Sequence, residues 1–186
     1  VYVFTGFLDS GKTTFLNGVL KDGFARTTRT VLIRCEEGEE EYDEKYLRNV
    51  TVVTVENEED LTPGFCRELE KKYRPKQCLV EYNGMWSLGS LDAMPDHWVL
   101  YQIMTFVESS TFDLYQKNFG QIMMEKIINS DMIVFNRATE ELKAELRKRN
   151  IRLVNRKADI FFEDVNGKAE NYNNKDTCPF DISAEV

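Results

Sequence analysis

Residues Gly6-Phe7-Leu8-Asp9-Ser10-Gly11-Lys12-Thr13 set two glycines, a lysine and a hydroxyl at the spacing G-x-x-x-x-G-K-[ST], directly after the apolar run Val1-Tyr2-Val3-Phe4. That spacing suits the capture of a polyphosphate. Glycines let the chain wrap tightly, so that successive backbone N–H groups point inward as an anion nest. Gly6, Asp9, Ser10, Gly11 and Thr14 are expected to line the nest. Lys12 brings a cation to the β- and γ-phosphates, and the Thr13 hydroxyl becomes a magnesium ligand. The segment Phe15-Leu16-Asn17-Gly18-Val19-Leu20 follows with helical apolar spacing. A helix starting there aims the positive end of its dipole at the same phosphates. Mg2+ is the expected cofactor, with GTP or ATP as substrate.

A phosphate-binding loop needs a partner at the tip of another strand. Cys78-Leu79-Val80-Glu81-Tyr82-Asn83-Gly84 supplies an apolar strand ending in a carboxylate, with a glycine three residues on. Glu81 is expected to hold magnesium or orient the attacking water, and Gly84 to bring its N–H near a phosphate oxygen. Base recognition is expected from Met132-Ile133-Val134-Phe135-Asn136-Arg137-Ala138-Thr139. Asn136 fits the first position of a guanine-reading N-K-x-D element, and Arg137 offers a planar guanidinium to stack on the base. Thr139 stands where that element has an aspartate. A hydroxyl cannot accept both hydrogen bonds of the guanine edge in the same geometry, which leaves GTP and ATP both open. A downstream loop, Asn155-Arg156-Lys157-Ala158-Asp159, offers Asn155 as a further base contact.

The elements that must position these residues alternate between strand-like and helix-like segments, the pattern of a parallel sheet flanked by helices. Strands are expected at Val1–Thr5, Thr30–Arg34, Thr51–Val55, Gln77–Tyr82, Tyr101–Val107, Met132–Asn136 and Arg152–Asn155. Thr62-Pro63 opens a helix towards Tyr73, and Arg74-Pro75 stops it. Thr139 caps a second helix ahead of Glu140-Glu141. A third runs from about Thr111 to Ile128, with Gly120 as its weak point. The fold class is α/β, a three-layer Rossmann-like P-loop NTPase with a mainly parallel sheet. Residues 1–162 are expected to form the nucleotide-binding domain. Residues 163–186 read as a polar hairpin or linker leading to a further domain.

Composition narrows the partners. The chain has 186 residues and a formal net charge of −8, which argues against non-specific nucleic-acid binding, since that needs a basic surface. No apolar run approaches the roughly 18 residues of a membrane span. Four cysteines, Cys35, Cys66, Cys78 and Cys178, are scattered without a C-x-x-C pair, as in a reduced, cytoplasmic protein in which they act as buried small hydrophobes. The one histidine, His97, is expected on a surface loop with no catalytic part.

These residues carry a family resemblance. Gly6 to Asn17, reading GFLDSGKTTFLN, resembles the P-loop of CobW-type GTPases, relatives of UreG and HypB, whose loop reads GFLGSGKTTLLN. Glu81-x-x-Gly84 is similar to their strand ending hhhExxG. Cys35 to Asp43 lines up with their switch segment NEFGEVGID at Glu36, Gly38, Glu39 and Asp43. Asn136 falls on their N-K-x-D element. The resemblance spans about residues 1 to 162. It implies a slow GTPase that uses Mg2+ and acts as a conformational switch in metal trafficking or metallocofactor assembly. It also implies a divalent metal or metalloprotein client and a nucleotide-dependent homodimer. In such a scheme Glu39 or Asp43 closes the switch, with Asp43 offered to the metal and Glu39 to catalysis.

Three departures qualify it. The family's C-x-C-C metal motif is replaced by Val52-Val53-Thr54-Val55-Glu56-Asn57-Glu58, Thr139 replaces the guanine-reading aspartate, and Asp9 replaces a glycine inside the loop. Without thiolates, soft ligation of a zinc-like ion is lost at that place. A nucleotide-gated protein-interaction module with little hydrolysis and no metal transfer is therefore the alternative. A small-molecule kinase, with a lid built from Arg147, Lys148, Arg149, Arg152 and Arg156, is a weaker third.

Overall fold

The structure, a computed structural model, describes residues 1–36, 38 and 40–172. Eight strands form one sheet: β1 (Tyr2–Thr5), β2 (Thr30–Arg34), β3 (Val50–Thr54), β4 (Gln77–Glu81), β5 (Gln102–Glu108), β6 (Met132–Asn136), β7 (Asp159–Glu163) and β8 (Ala169–Asn171). Their order across the sheet is β3-β2-β4-β1-β5-β6-β7-β8. All neighbouring pairs run parallel except β7–β8. β2 and β6 are buried along their whole length, as continuous apolar runs covered on both faces must be.

Helices cover the two faces unequally. One face packs α2 (Pro63–Tyr73), α3 (Phe112–Asn129) and α4 (Glu140–Lys148) against Val3, Val31, Val80, Ile133 and Phe135. The other packs α1 (Lys12–Lys21) through Leu16 and Leu20 onto Phe4, Leu32, Leu79 and Phe106, and there Tyr42 and Val50 join the core. The start signals act as expected. The Thr62 hydroxyl accepts from the Phe65 N–H at 3.1 Å, and the Thr139 hydroxyl from the Leu142 N–H at 3.3 Å. Arg74, at φ +47°, ends α2 in the left-handed region. In α3 the backbone leaves helical geometry at Phe119 (φ −132°), beside the suspected Gly120.

One expected element is wrong. Residues 152–155 are not a strand. A single helical turn, α5 (Ile151–Val154), follows Asn150 at φ +51°, and the seventh strand is Asp159–Glu163. The reason is burial. Leu153 is 66% exposed and Val154 37%, whereas Ile160, Phe161 and Phe162 are all buried, and only the latter run can satisfy a strand covered on both faces. After it, Asp164 caps a turn by accepting the N–H groups of Asn166 and Lys168 at 2.8 and 2.9 Å. β8 then returns antiparallel to β7. Cys35, Cys66 and Cys78 are buried free thiols; Cys178 lies outside the described residues. His97 is exposed and faces Glu70 at 2.9 Å. No helix among the described residues is long and apolar enough to cross a membrane.

Candidate functional site

Parallel strands deliver their carboxyl ends to one edge, and the sheet reverses direction around β1: its successor β2 lies on one side, beyond β4, and β5 on the other. Ligands in open α/β sheets settle in the crevice at such a reversal. The loop from Gly6 to Gly11 wraps this point. Gly11 enters α1 at φ +96°, where a Cβ would lie 2.2 Å from the Asn136 amide nitrogen, so only glycine lets β6 close against the loop. Asp9 takes φ +59°, a region that aspartate tolerates better than most residues. Gly84 packs behind the loop. A Cβ there would lie 2.3 Å from the Gly6 carbonyl oxygen, so this glycine lets the loop after β4 touch the phosphate loop's own backbone. It supports the nest from outside and does not line the cleft.

Inside, charged groups pair across the gap. Lys12 is buried, and its Nζ donates to the carbonyls of Gly6 (2.7 Å) and Phe7 (3.0 Å) and to Glu36 Oε2 (2.6 Å). The Thr13 hydroxyl donates to Glu81 Oε1. The Thr14 hydroxyl donates to Glu40 Oε2 at 2.5 Å. Glu81, only 1% exposed, accepts at Oε2 from the Tyr42 hydroxyl (2.5 Å), and the Arg34 Nε lies 4.0 Å from the same oxygen. Burial, and then the charge of Glu81, push the Tyr42 phenol well above its ordinary range. Ser10 Oγ is buried without a hydrogen-bond partner among the described residues. The cleft has a volume of about 200 Å³ and is lined by Asp9, Ser10, Gly11, Lys12, Thr13, Thr14, Glu36, Glu40, Glu81 and Arg137, among others. This is less than the roughly 300–1,000 Å³ of ordinary ligand pockets.

The groups fit a magnesium triphosphate. An unpartnered hydroxyl, a buried ammonium and a glycine-permitted nest are the donors that a polyphosphate needs. The Thr13 and Glu81 oxygens are the hard ligands that Mg2+ takes alongside substrate phosphates. Among the described residues no group of three or more His, Cys, Asp or Glu is arranged to hold a metal ion.

Other expected residues stand elsewhere. Asp43 caps the short turn Glu44–Tyr46 and pairs with Lys45; its carboxylate is not among the groups around the cleft. Glu39 lies outside the described residues. Asn136 is buried, and its amide donates to the Ser10 carbonyl at 3.2 Å and accepts from the Arg137 N–H at 2.7 Å, fastening β6 to the phosphate loop. Arg137 lines the cleft at φ +51°, bound to Glu108 and to the Asp9 carbonyl. Asn155 meets backbone in place of a base. Its amide donates to the carbonyls of Ile127 (2.8 Å), Ile128 (3.2 Å) and Ser130 (2.7 Å), and accepts from the N–H groups of Lys157 and Ala158. Of the basic cluster, Arg147 pairs with Glu170 and Arg149 with Asp113, away from the cleft.

Reading by motif passed over Arg34 and Tyr42, and took Glu36 and Glu40 only as carboxylates of the switch segment. No local signal pointed to them: it is the pairing of β2 with β4 that brings Glu36 to Lys12 and Glu40 to Thr14.

Comparison with known proteins identifies the fold and the family. No curated protein matches the chain significantly. Among solved structures, the Zn(II)-bound YjiA GTPase from E. coli superposes with a TM-score of 0.63 at 18% identity, covering 98% of this chain and 67% of that one. The hydrogenase maturation factor HypB from Archaeoglobus fulgidus gives 0.59 at 16% identity, covering 89% and 82%. The cell division protein FtsY from Thermotoga maritima gives 0.56 at 12%, covering 90% and 62%. Such identities speak to the fold, a P-loop NTPase fold with a mostly parallel sheet. Residues 1–162 match the family profile described as CobW/HypB/UreG, nucleotide-binding domain. The chain therefore belongs to the CobW/HypB/UreG family, as a bearer of its nucleotide-binding domain.

Proposed function

We propose that this domain binds GTP, in preference to ATP, together with Mg2+ and hydrolyses it slowly as a conformational switch serving metal trafficking or metallocofactor assembly. The supporting observation is the meeting of Lys12, Thr13 and Glu81 at one end of the cleft, beside the unpartnered Ser10 hydroxyl. Lys12 would exchange Glu36 for the phosphates, and the Thr13 hydroxyl would turn from Glu81 to supply an oxygen beside it for magnesium. The ion would neutralise phosphate charge and polarise the γ-phosphoryl group. Glu81 would orient the water that adds to the γ-phosphorus as the bond to the β–γ bridging oxygen breaks. The charge left on that oxygen would meet the Lys12 ammonium and the loop N–H groups. Without an arginine finger, such sites turn over at roughly 10⁻⁴ to 10⁻³ per second. A cytoplasmic location, a nucleotide-dependent homodimer and a metalloprotein client belong to the same reading.

Lys12→Ala tests it. Magnesium-dependent binding of GTP should weaken at least about a hundredfold by calorimetry, equivalent to about 2.7 kcal/mol; unchanged binding removes the assignment. Competition among GTP, ATP and XTP then sets the base preference.

A second reading, an interaction module that holds nucleotide with little hydrolysis and transfers no metal, is favoured by Val52–Glu58, which carries no cysteine where the family places C-x-C-C. Single-turnover phosphate release separates the two, since such a module would keep its triphosphate intact for hours.

A further inference from the structure

We propose that Tyr42 is a positioning residue for Glu81: its hydroxyl pins Oε2 so that Oε1 faces the Thr13 side of the cleft, where magnesium and the attacking water belong. The inference rests on the nucleotide reading above and goes beyond it, because Tyr42 comes from the segment after β2, does not line the cleft and acts through Glu81.

The carboxylate is held from several directions. Its backbone is fixed, since the Cys35 N–H donates to the Glu81 carbonyl at 2.8 Å and Arg34 is its register partner across the strand pair. Side-chain rotation is the freedom that remains. Oε1 takes the Thr13 hydroxyl, a contact that magnesium would replace. Oε2 takes the Tyr42 hydroxyl at 2.5 Å. Arg34 lends charge to Oε2 from 4.0 Å, but its donors are directed to the Glu36 carbonyl (3.2 Å), Glu41 Oε2 (3.1 Å) and the Glu40 carbonyl (3.5 Å). Among the described residues, Tyr42 is thus the hydroxyl donor that can hold Oε2 while Oε1 changes partner.

The phenol is well placed for this. Its ring is buried with Leu16, Leu20, Leu32 and Val50, and the Arg34 guanidinium lies 5.9 Å from the ring centroid. A ring gripped by core packing can hold a hydroxyl at fixed geometry with little entropy left to lose. A phenylalanine would fill the same volume, so packing alone does not call for the oxygen. Because Glu36 and Glu40, which face Lys12 and Thr14, belong to the same segment, the contact also links the state of that segment to the aim of Glu81.

The test is Tyr42→Phe in the full chain, with GTP as probe. GTP affinity measured in EDTA should stay within about twofold of wild type. The magnesium concentration at half-saturation should rise about tenfold, and kcat should fall about tenfold with KM little changed, the magnitude of one lost charge-assisted hydrogen bond. Unaltered magnesium dependence and unaltered kcat would overturn the proposal. Should wild type bind no nucleotide, the functional reading fails separately, and unfolding of the nucleotide-free protein still decides the contact. Tyr42→Phe should lower Tm by about 5 °C in wild type and by nothing in a Glu81→Leu background. Equal losses in both backgrounds would sink the inference.

Discussion

The proposed phosphate end of the cleft and the expected base end beside it are built from polar groups of different habits. At the phosphate end, side chains meet side chains: Lys12 with Glu36, Thr13 with Glu81, Thr14 with Glu40. Each pair can part, because a ligand bearing charge and a metal offers both members a replacement. At the expected base end, side-chain amides meet backbone outside the cleft lining: Asn136 holds the Ser10 carbonyl, and Asn155 gathers three carbonyls and two N–H groups. No ligand can repay those contacts without loosening the sheet edge. Exchangeable side-chain pairs mark a binding surface, whereas amides sunk into backbone mark framework, even where motif and composition would assign both to one site.

The largest effect that would break this contrast comes from Asn155. Asn155→Ala leaves a set of buried carbonyl and N–H groups unpaired, so stability should fall by about 3 kcal/mol in urea unfolding. The ratio of GTP to ATP affinity should not move. A shifted ratio with stability intact would make Asn155 a reader of the base after all, and the two ends would be alike.

That asparagine also shows where sequence reasoning stops. The phosphate loop was legible because its chemistry is local: the donors, the turn and the helix lie within eight residues. Glu81 was legible because a strand-end carboxylate announces itself at the end of an apolar run. Glu36, Glu40 and Tyr42 converge on these only because β2 lies beside β4, a fact of strand order that no local pattern carries. The acidic run therefore reads in the sequence only as a switch segment. Residues 152–155 misled for a related reason. A short apolar run has no period of its own, and the left-handed Asn150 and the burial of Ile160 to Phe162 decide the outcome. Asn155, in a polar loop after that run, looked free for a ligand. Its burial depends on the carbonyls at the end of α3, nearly thirty residues earlier in the chain.

Thr139 sharpens the contrast. Its hydroxyl caps α4, and aspartate caps as well, so Thr139→Asp should fold normally. If the base lies where Arg137 lines the cleft, the new carboxylate should raise the GTP over ATP preference by about tenfold to a hundredfold, or about 1.4–2.7 kcal/mol. Competition binding reads this directly. An unmoved ratio would place the base away from β6 and leave the base end purely structural.

The smallest effect lies behind the phosphate end. The Lys126 ammonium is buried and donates to the Trp86 carbonyl at 2.7 Å, tying α3 to the loop that carries Gly84. Burial pushes its pKa down to about 8, below the roughly 10.4 of a free lysine. Between those values the unfolded chain holds a proton that the folded chain has lost, so this group makes unfolding costlier as pH rises. Burial lifts the thiols of Cys35 and Cys78 to about 12, and they oppose this once unfolded thiols ionise, near pH 9. The window for Lys126 is therefore pH 8 to 9. Over it, wild type should gain about 1 kcal/mol relative to Lys126→Met in urea unfolding. Parallel pH curves for the two proteins would mean that the ammonium is hydrated in solution, and that the loop behind the phosphate site is less firmly held than its buried tie to α3 implies.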